Sequence, residues 1–147
     1  MILEPLTVPG ELDAVTQLMD FVAWSAAAAG LDEQATYKLC LAVDEIATNI
    51  VTYSYMKAGR RGDLVIAAET DPTTLRIHLT DEGAPFDPRQ APPPADLDRP
   101  LSERRDGGLG IFLALWGVDA FDYEPRGGTN RSTFIVRRPP SGSTNAA

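Results

Sequence analysis

The sequence predicts an α/β fold: a two-layer sandwich with helices packed on a mixed, largely antiparallel sheet. Three observations carry this reading. From Glu11 to about Tyr55, apolar residues recur at three- and four-residue spacing, the period of a helix with one buried face. Beyond Gly62 the recurrence changes to two, the period of half-buried strands. Short connections marked by turn residues join those strands, which favours hairpins, and layered helix-on-sheet packing buries both kinds of face.

The elements follow in chain order. Ile2 to Val8 reads as a short strand ended by Pro9-Gly10. The first helix begins at Glu11, with Leu12, Val15, Leu18, Met19, Val22 and Ala23 on its apolar side, and Gly30 suits its C′ position. Asp32 suits the N-cap of a second helix reaching about Tyr55, with Leu39, Val43, Ile46 and Ile50 as its core stripe. Leu64, Ile66 and Ala68 alternate in one strand and Leu75, Ile77 and Leu79 in the next, with Asp71-Pro72 at the turn. Asp81 to Pro100 holds six of the twelve prolines and few large apolar residues, the composition of a long functional or disordered loop. A short helix is expected from Gly108 through Ile111, Phe112 and Leu115, then strands over Val118–Tyr123 and Thr129–Arg137. The tail from Pro139 is small and polar, the kind of terminus that stays mobile. The expected organisation is one domain over 1–138 and a flexible tail over 139–147.

Composition narrows the function classes. At 147 residues there is room for one core. A net charge of −8 argues against direct nucleic-acid binding, which concentrates Lys and Arg on one face. No apolar run approaches the ~18 residues of a membrane span, and the first ten residues lack the pattern of a signal peptide, so a cytoplasmic location is the default expectation. Cys40 is the single cysteine and excludes an internal disulfide or a CxxC zinc ribbon; its apolar helical setting predicts a small buried hydrophobe.

Three clusters could carry chemistry. In the second helix Glu45 and Asn49 stand one turn apart on a common face, away from the apolar stripe. An amide oxygen is a hard, neutral ligand for Mg²⁺, which keeps several waters and takes other ligands from phosphate. A neighbouring carboxylate can take a proton from an attacking hydroxyl. Taken alone, the pair is better explained as two polar residues on a solvated helix face. Asp81-Glu82-Gly83-Ala84-Pro85-Phe86-Asp87-Pro88 follows an apolar strand. A carboxylate there can accept from the exocyclic amine of a base, and Gly83 lets backbone approach a ligand closely. An ordinary Asp/Gly/Pro turn has the same composition. Last, Arg104-Arg105-Asp106-Gly107-Gly108-Leu109-Gly110-Ile111 opens the last helix, where free backbone N–H groups make an anion site. It is neither a Walker loop nor GxGxxG after a strand.

In this order the clusters resemble the gyrase–chaperone–histidine-kinase–MutL class of ATP-binding domains, the Bergerat fold. Within that class the chain looks most like the anti-sigma-factor serine/threonine kinases, from the first strand to about Arg138. The resemblance implies Glu45 as catalytic base and Asn49 as Mg²⁺ ligand within an N box, Asp44-Glu45-Ile46-Ala47-Thr48-Asn49. It implies that Asp81 reads the adenine amine beside Gly83. It implies that Gly107, Gly108, Leu109 and Gly110 hold phosphate behind an ATP lid over about 89–107, with Arg104 and Arg105 as candidate γ-phosphate contacts. Gly128-Thr129-Asn130 resembles the closing strand, where the threonine joins the adenine-side network.

The match departs from the family in two places. Four residues after the metal-ligand asparagine the family often carries histidine, as in N-x-x-x-H-A-Y; here the run is Asn49-Ile50-Val51-Thr52-Tyr53-Ser54-Tyr55. The lid is also unusually rich in proline.

The implied activity is ATP- and Mg²⁺-dependent phosphorylation of a STAS-type anti-anti-sigma protein, with sequestration of a sigma factor; a homodimer is a further possible assembly. Two alternatives stay open: a nucleotide-dependent binding switch with little kinase activity, and a stand-alone histidine-kinase-type catalytic domain. The second would need its acceptor elsewhere, because His78, the only histidine, alternates with strand residues.

Overall fold

A computed structural model describes residues 2–90 and 115–139. Strand β1 (Ile2–Pro9) leads through a 3₁₀ turn (Leu12–Ala14) into helix α1 (Val15–Ala28), and α2 (Glu33–Asn49) follows. Strands β2 (Asp63–Thr70), β3 (Thr74–Asp81), β4 (Ala120–Arg126) and β5 (Thr129–Arg137) complete one five-stranded sheet in the order β1-β2-β3-β5-β4. All four described pairings are antiparallel, and β1 carries an irregularity between Leu3 and Leu6.

The helix junction forms as its residues dictate. Gly30 takes φ +83°, where a side chain would be strained, and the amides of Gly30 and Leu31 turn back to the carbonyls of Ala27 and Ala26, each at 3.0 Å. Asp32 then caps α2 by accepting from Ala35 N at 2.8 Å. α1 buries Val15, Leu18, Val22 and Ala26, while α2 buries Leu39, Val43 and Ile46 against the sheet and α1. On the sheet, Leu64, Ile66, Ala68, Leu75, Ile77, Leu79 and Phe134 are fully buried beneath the helices. Each leucine, isoleucine or phenylalanine among them contributes about 1.5–3 kcal/mol by leaving water.

Beyond Asn49 the second helix does not remain α. Ile50–Met56 is wound as a π-helix, with Lys57 N bonded to Thr52 O and Arg60 N to Tyr55 O, five residues back in both cases. Periodicity cannot separate this winding from an α-helix over so few residues. The fourth strand begins at Ala120 rather than Val118, and Leu115–Trp116 are helical. The rest of the helix expected from Gly108, most of the lid, and residues 140–147 of the tail lie outside the described residues. Cys40 is half-buried rather than fully enclosed, and its thiol is pushed up by burial and then by Asp44.

The other face of the sheet carries polar pairs. His78 is held between Glu69 Oε1 at Nε2 (2.9 Å) and Thr133 Oγ1 at Nδ1 (2.9 Å), and Arg131 Nε donates to Nδ1 at 3.2 Å. An Nδ1 that accepts from arginine leaves the proton on Nε2, facing Glu69. No described helix is long and apolar enough to cross a membrane.

Candidate functional site

One end of the site stands on α2. Asn49 is buried, whereas Glu45 is half-buried one turn earlier. The amide nitrogen of Asn49 donates to the carbonyl oxygen of Glu45 at 2.7 Å and to its carboxylate Oε2 at 2.8 Å. Two acceptors on one side fix the amide's orientation, since only the NH₂ end can serve both. The amide oxygen of Asn49 is left without a donor among the described residues. It is a hard, oriented oxygen beside a carboxylate, which is what a Mg²⁺ sharing its shell with phosphate requires.

The other end stands at the C-terminus of β3. Asp81 is only 2% exposed. Its Oδ1 accepts from Gly83 N at 2.9 Å and from the Asn130 amide at 3.0 Å, while Oδ2 accepts no bond among the described residues. Burial raises the carboxyl's pKa, and the bonds from Asn130 and Gly83 pull it back. Asn130 also donates to Gly83 O at 2.9 Å, and its own oxygen accepts from the Tyr123 hydroxyl at 3.1 Å. Tyr123 in turn accepts from Phe86 N at 3.0 Å. The turn therefore hangs from two strands, and one carboxylate oxygen is free for a ligand's donor.

Gly83 lies against the π-wound segment. A Cβ on it would stand 2.6 Å from Ser54 Cβ and 2.8 Å from Ser54 O, so no other residue fits without moving backbone. Ala84 N donates to Ser54 O at 3.1 Å. The glycine thus serves the approach of turn to helix.

Some expected residues come together and others do not. Glu45 and Asn49 pair, and Asp81 and Gly83 pair. Thr129 stays apart from the adenine-side network: its hydroxyl lies 3.5 Å from Arg126 O. Asp81 is paired across the sheet with Asn130, so strand alternation turns Asn130 to the helix side and Thr129 away. The sequence alone assigns no role to Asn130, Tyr123 or Tyr55. The parity of Asn130 with Ser132, Phe134 and Val136 is the signal that finds the first of them. Tyr53, where the family often has histidine, is exposed, with the Lys57 ammonium 4.5 Å over its ring. Gly107, Gly108, Leu109, Gly110, Arg104 and Arg105 lie outside the described residues.

Two helices on one face of an antiparallel sheet, with an acid–amide turn on one helix and an Asp-x-Gly turn after a central strand, define a histidine-kinase-like ATPase fold. Comparison with known proteins agrees. A family model for the histidine kinase-like ATPase domain matches residues 8–134, and the chain belongs to that family.

Among curated proteins it is 30% identical over 104 residues to the serine/threonine-protein kinase BtrW of Bordetella bronchiseptica, covering 71% of this chain and 72% of that one. It is 29% identical over 111 residues to the serine-protein kinase RsbW of Halalkalibacterium halodurans, covering 74% and 67%. The resemblance to the anti-sigma-factor serine/threonine kinases is borne out at the level of family and kinase type.

Two solved structures share the fold at low identity. The RsbU and RsbW domains of a Mycobacterium tuberculosis protein align with TM-score 0.61 and 17% identity over 94% of this chain, which spans 34% of that longer chain. The mycobacterial sensor histidine kinase MprB aligns with TM-score 0.52 and 16% identity over 94% of this chain and 100% of that one.

Proposed function

We propose that the chain is an ATP- and Mg²⁺-dependent serine/threonine protein kinase of the cytoplasm that phosphorylates a STAS-type anti-anti-sigma partner and sequesters a sigma factor. The observation that carries the nucleotide reading is the half-used carboxylate of the buried Asp81: one oxygen accepts from Gly83 and Asn130, and the other accepts no bond among the described residues. Such an oxygen discriminates for an exocyclic amine, because a base lacking that donor leaves a buried acceptor unpaired.

In this reading Asp81 takes the adenine amine, and Gly83 holds the turn that carries it close against the helix at Ser54. Asn49 Oδ1 would hold Mg²⁺, which supplies charge neutralisation for the phosphates. Glu45 accepts the proton of the partner's hydroxyl as its oxygen bonds to the γ-phosphorus and the bond to ADP breaks. Its hydrogen bond from Asn49 keeps it oriented for that work. Gly107–Gly110 would cradle phosphate through backbone N–H groups, with Arg104 or Arg105 beside them. The kinase type follows that of the relatives, and the partners follow from the resemblance to anti-sigma kinases.

The test is incubation with γ-labelled ATP and a STAS-domain partner, wild type beside Glu45→Gln. Label on a partner serine or threonine, lost in the variant, is the expected result. ATP binding without label on the partner would instead make the chain a nucleotide-dependent switch. Label on a histidine of another chain would make it a histidine-kinase-type catalytic domain. His78 is a poor acceptor, being engaged by Glu69, Thr133 and Arg131 on the sheet face away from the helices.

A further inference from the structure

Tyr55 is among the largest fully buried side chains and ends in a polar atom. Its hydroxyl donates to Asp63 O at 2.7 Å and accepts from Glu82 N at 2.7 Å. It therefore ties the first residue of β2 to the residue between Asp81 and Gly83. Burial and the surrounding carboxylates push its pKa up to about 12, so the hydroxyl keeps its proton across the physiological range. Gly10 and Gly62 both lie against its ring, where a Cβ would stand 2.6 Å and 3.0 Å from ring carbons. The backbone is fitted around this tyrosine from two sides.

The π winding makes the contact. Tyr55 sits six residues after Asn49, inside the segment where the hydrogen bonds span five residues. The same winding leaves Ser54 O to accept from Ala84 N at 3.1 Å. Two consecutive residues of the metal-side helix thus hold the Asp-x-Gly turn, one through its carbonyl and one through its hydroxyl. The Asp81 carboxylate is consequently set relative to Asn49 by a rigid connection and not by the sheet alone.

We propose that Tyr55 is a positioning residue for adenine recognition: its hydroxyl fixes the Asp81–Gly83 turn on the helix that carries Glu45 and Asn49. This rests on the nucleotide reading above. Tyr55 touches no part of the ligand; it sets where Asp81 Oδ2 points. Loss of the hydroxyl should weaken the base end of binding and leave the phosphate end alone.

The experiment is titration of the full chain and of Tyr55→Phe with Mg-ATP, Mg-ITP and Mg-tripolyphosphate, with Asp81→Asn and the double variant alongside. Tyr55→Phe should weaken ATP about tenfold, the worth of one buried hydrogen bond, and tripolyphosphate by less than about twofold. ITP, which lacks the exocyclic amine, should change little, so that preference for ATP over ITP collapses. In the double variant the ATP loss should match that of Asp81→Asn alone, because both act through one carboxylate.

Equal weakening of ATP and tripolyphosphate, or losses that add, would overturn the proposal. If wild type binds tripolyphosphate but shows no preference for ATP over ITP, the Asp81 reading itself fails. Should Tyr55→Phe not fold, amide exchange in wild type decides. Saturating ATP should slow exchange at Glu82 N–H together with Gly83 N–H, and protection of Gly83 alone would refute the coupling.

Discussion

The two ends of the site are built differently. Glu45 and Asn49 form a local pair, one helical turn apart, and the hydrogen bonds that orient Asn49 stay within α2. Asp81 depends on partners from distant parts of the chain: Asn130 on the neighbouring strand β5, Tyr123 on the edge strand β4, and Ser54 and Tyr55 acting on its turn from the helix. The local end needs only a helix. The distant end needs the whole sheet in register. The metal-side pair should therefore tolerate loosening of the sheet, whereas base recognition should be lost with the first slip in strand pairing.

Substitutions can separate the two ends. The largest effect is expected at Glu45→Gln, which should lower phosphoryl transfer by roughly 10²–10⁴-fold, the range of general-base contributions, and leave ATP affinity in place. Single-turnover labelling beside equilibrium binding measures both. Parallel loss of binding and transfer would show that Glu45 holds the site together and is not its base.

Asp81→Asn should come next, weakening ATP on the order of tenfold to a hundredfold, as for loss of a hydrogen bond to a charged acceptor. Its effect on stability should have the opposite sign. Burial holds the carboxyl's pKa above its unfolded value, so the native state binds the proton more readily. By linkage, stability falls as pH rises through that interval, and at neutral pH the buried charge is a cost. Asparagine retains an acceptor for Gly83 and Asn130 without the charge. Chemical denaturation at pH 7 should find the variant at least as stable as wild type, and a clear loss would contradict this account.

Gly83→Ala should be felt in both fold and function. The new Cβ meets Ser54 backbone, which cannot swing aside as a long side chain would. A cost of about 1–3 kcal/mol is expected from such overpacking, with weaker ATP binding and little change for tripolyphosphate.

The smallest effect belongs to His78, remote from both ends. Burial lowers its pKa, with Glu69 opposing. The unfolded chain therefore binds more protons near neutrality, so stability rises with pH there and is lost as pH falls below about 6.5. Glu69, whose own pKa His78 holds down, loses its contribution only at more acid pH, below about 4.3. Thermal unfolding from pH 5 to 8 should slope gently in wild type and flatten in His78→Gln.

The same contrast explains what could be read in advance. The helices were legible because Leu39, Val43, Ile46 and Ile50 repeat at helical spacing, and their ends because Gly30 and Asp32 have few other uses in tandem. Glu45 with Asn49 was legible for the same local reason. Strands β2, β3 and β5 were legible from alternation. The strand partner of Asp81 was not, because register is a property of two strands and each sequence carries only its own parity. Hence the motif points to Thr129, while the strand register brings Asn130 to Asp81. Tyr55 coincides with the tyrosine that ends the N-x-x-x-H-A-Y pattern, but its role is hidden by a change of helical winding, which alters where a side chain points without altering the apolar pattern that reveals the helix.

That winding makes the chain sensitive to length as well as to side-chain identity. Deleting one residue among 50–54 would let the segment close into ordinary α turns. Tyr55 would then rotate by about 100° around the helix axis, leaving Glu82 N without its acceptor. Ser54 O would return to the helical ladder and release Ala84. A frame-preserving loss of one codon, with every motif residue intact, would uncouple base recognition from the metal-side helix more completely than most substitutions at the motifs themselves.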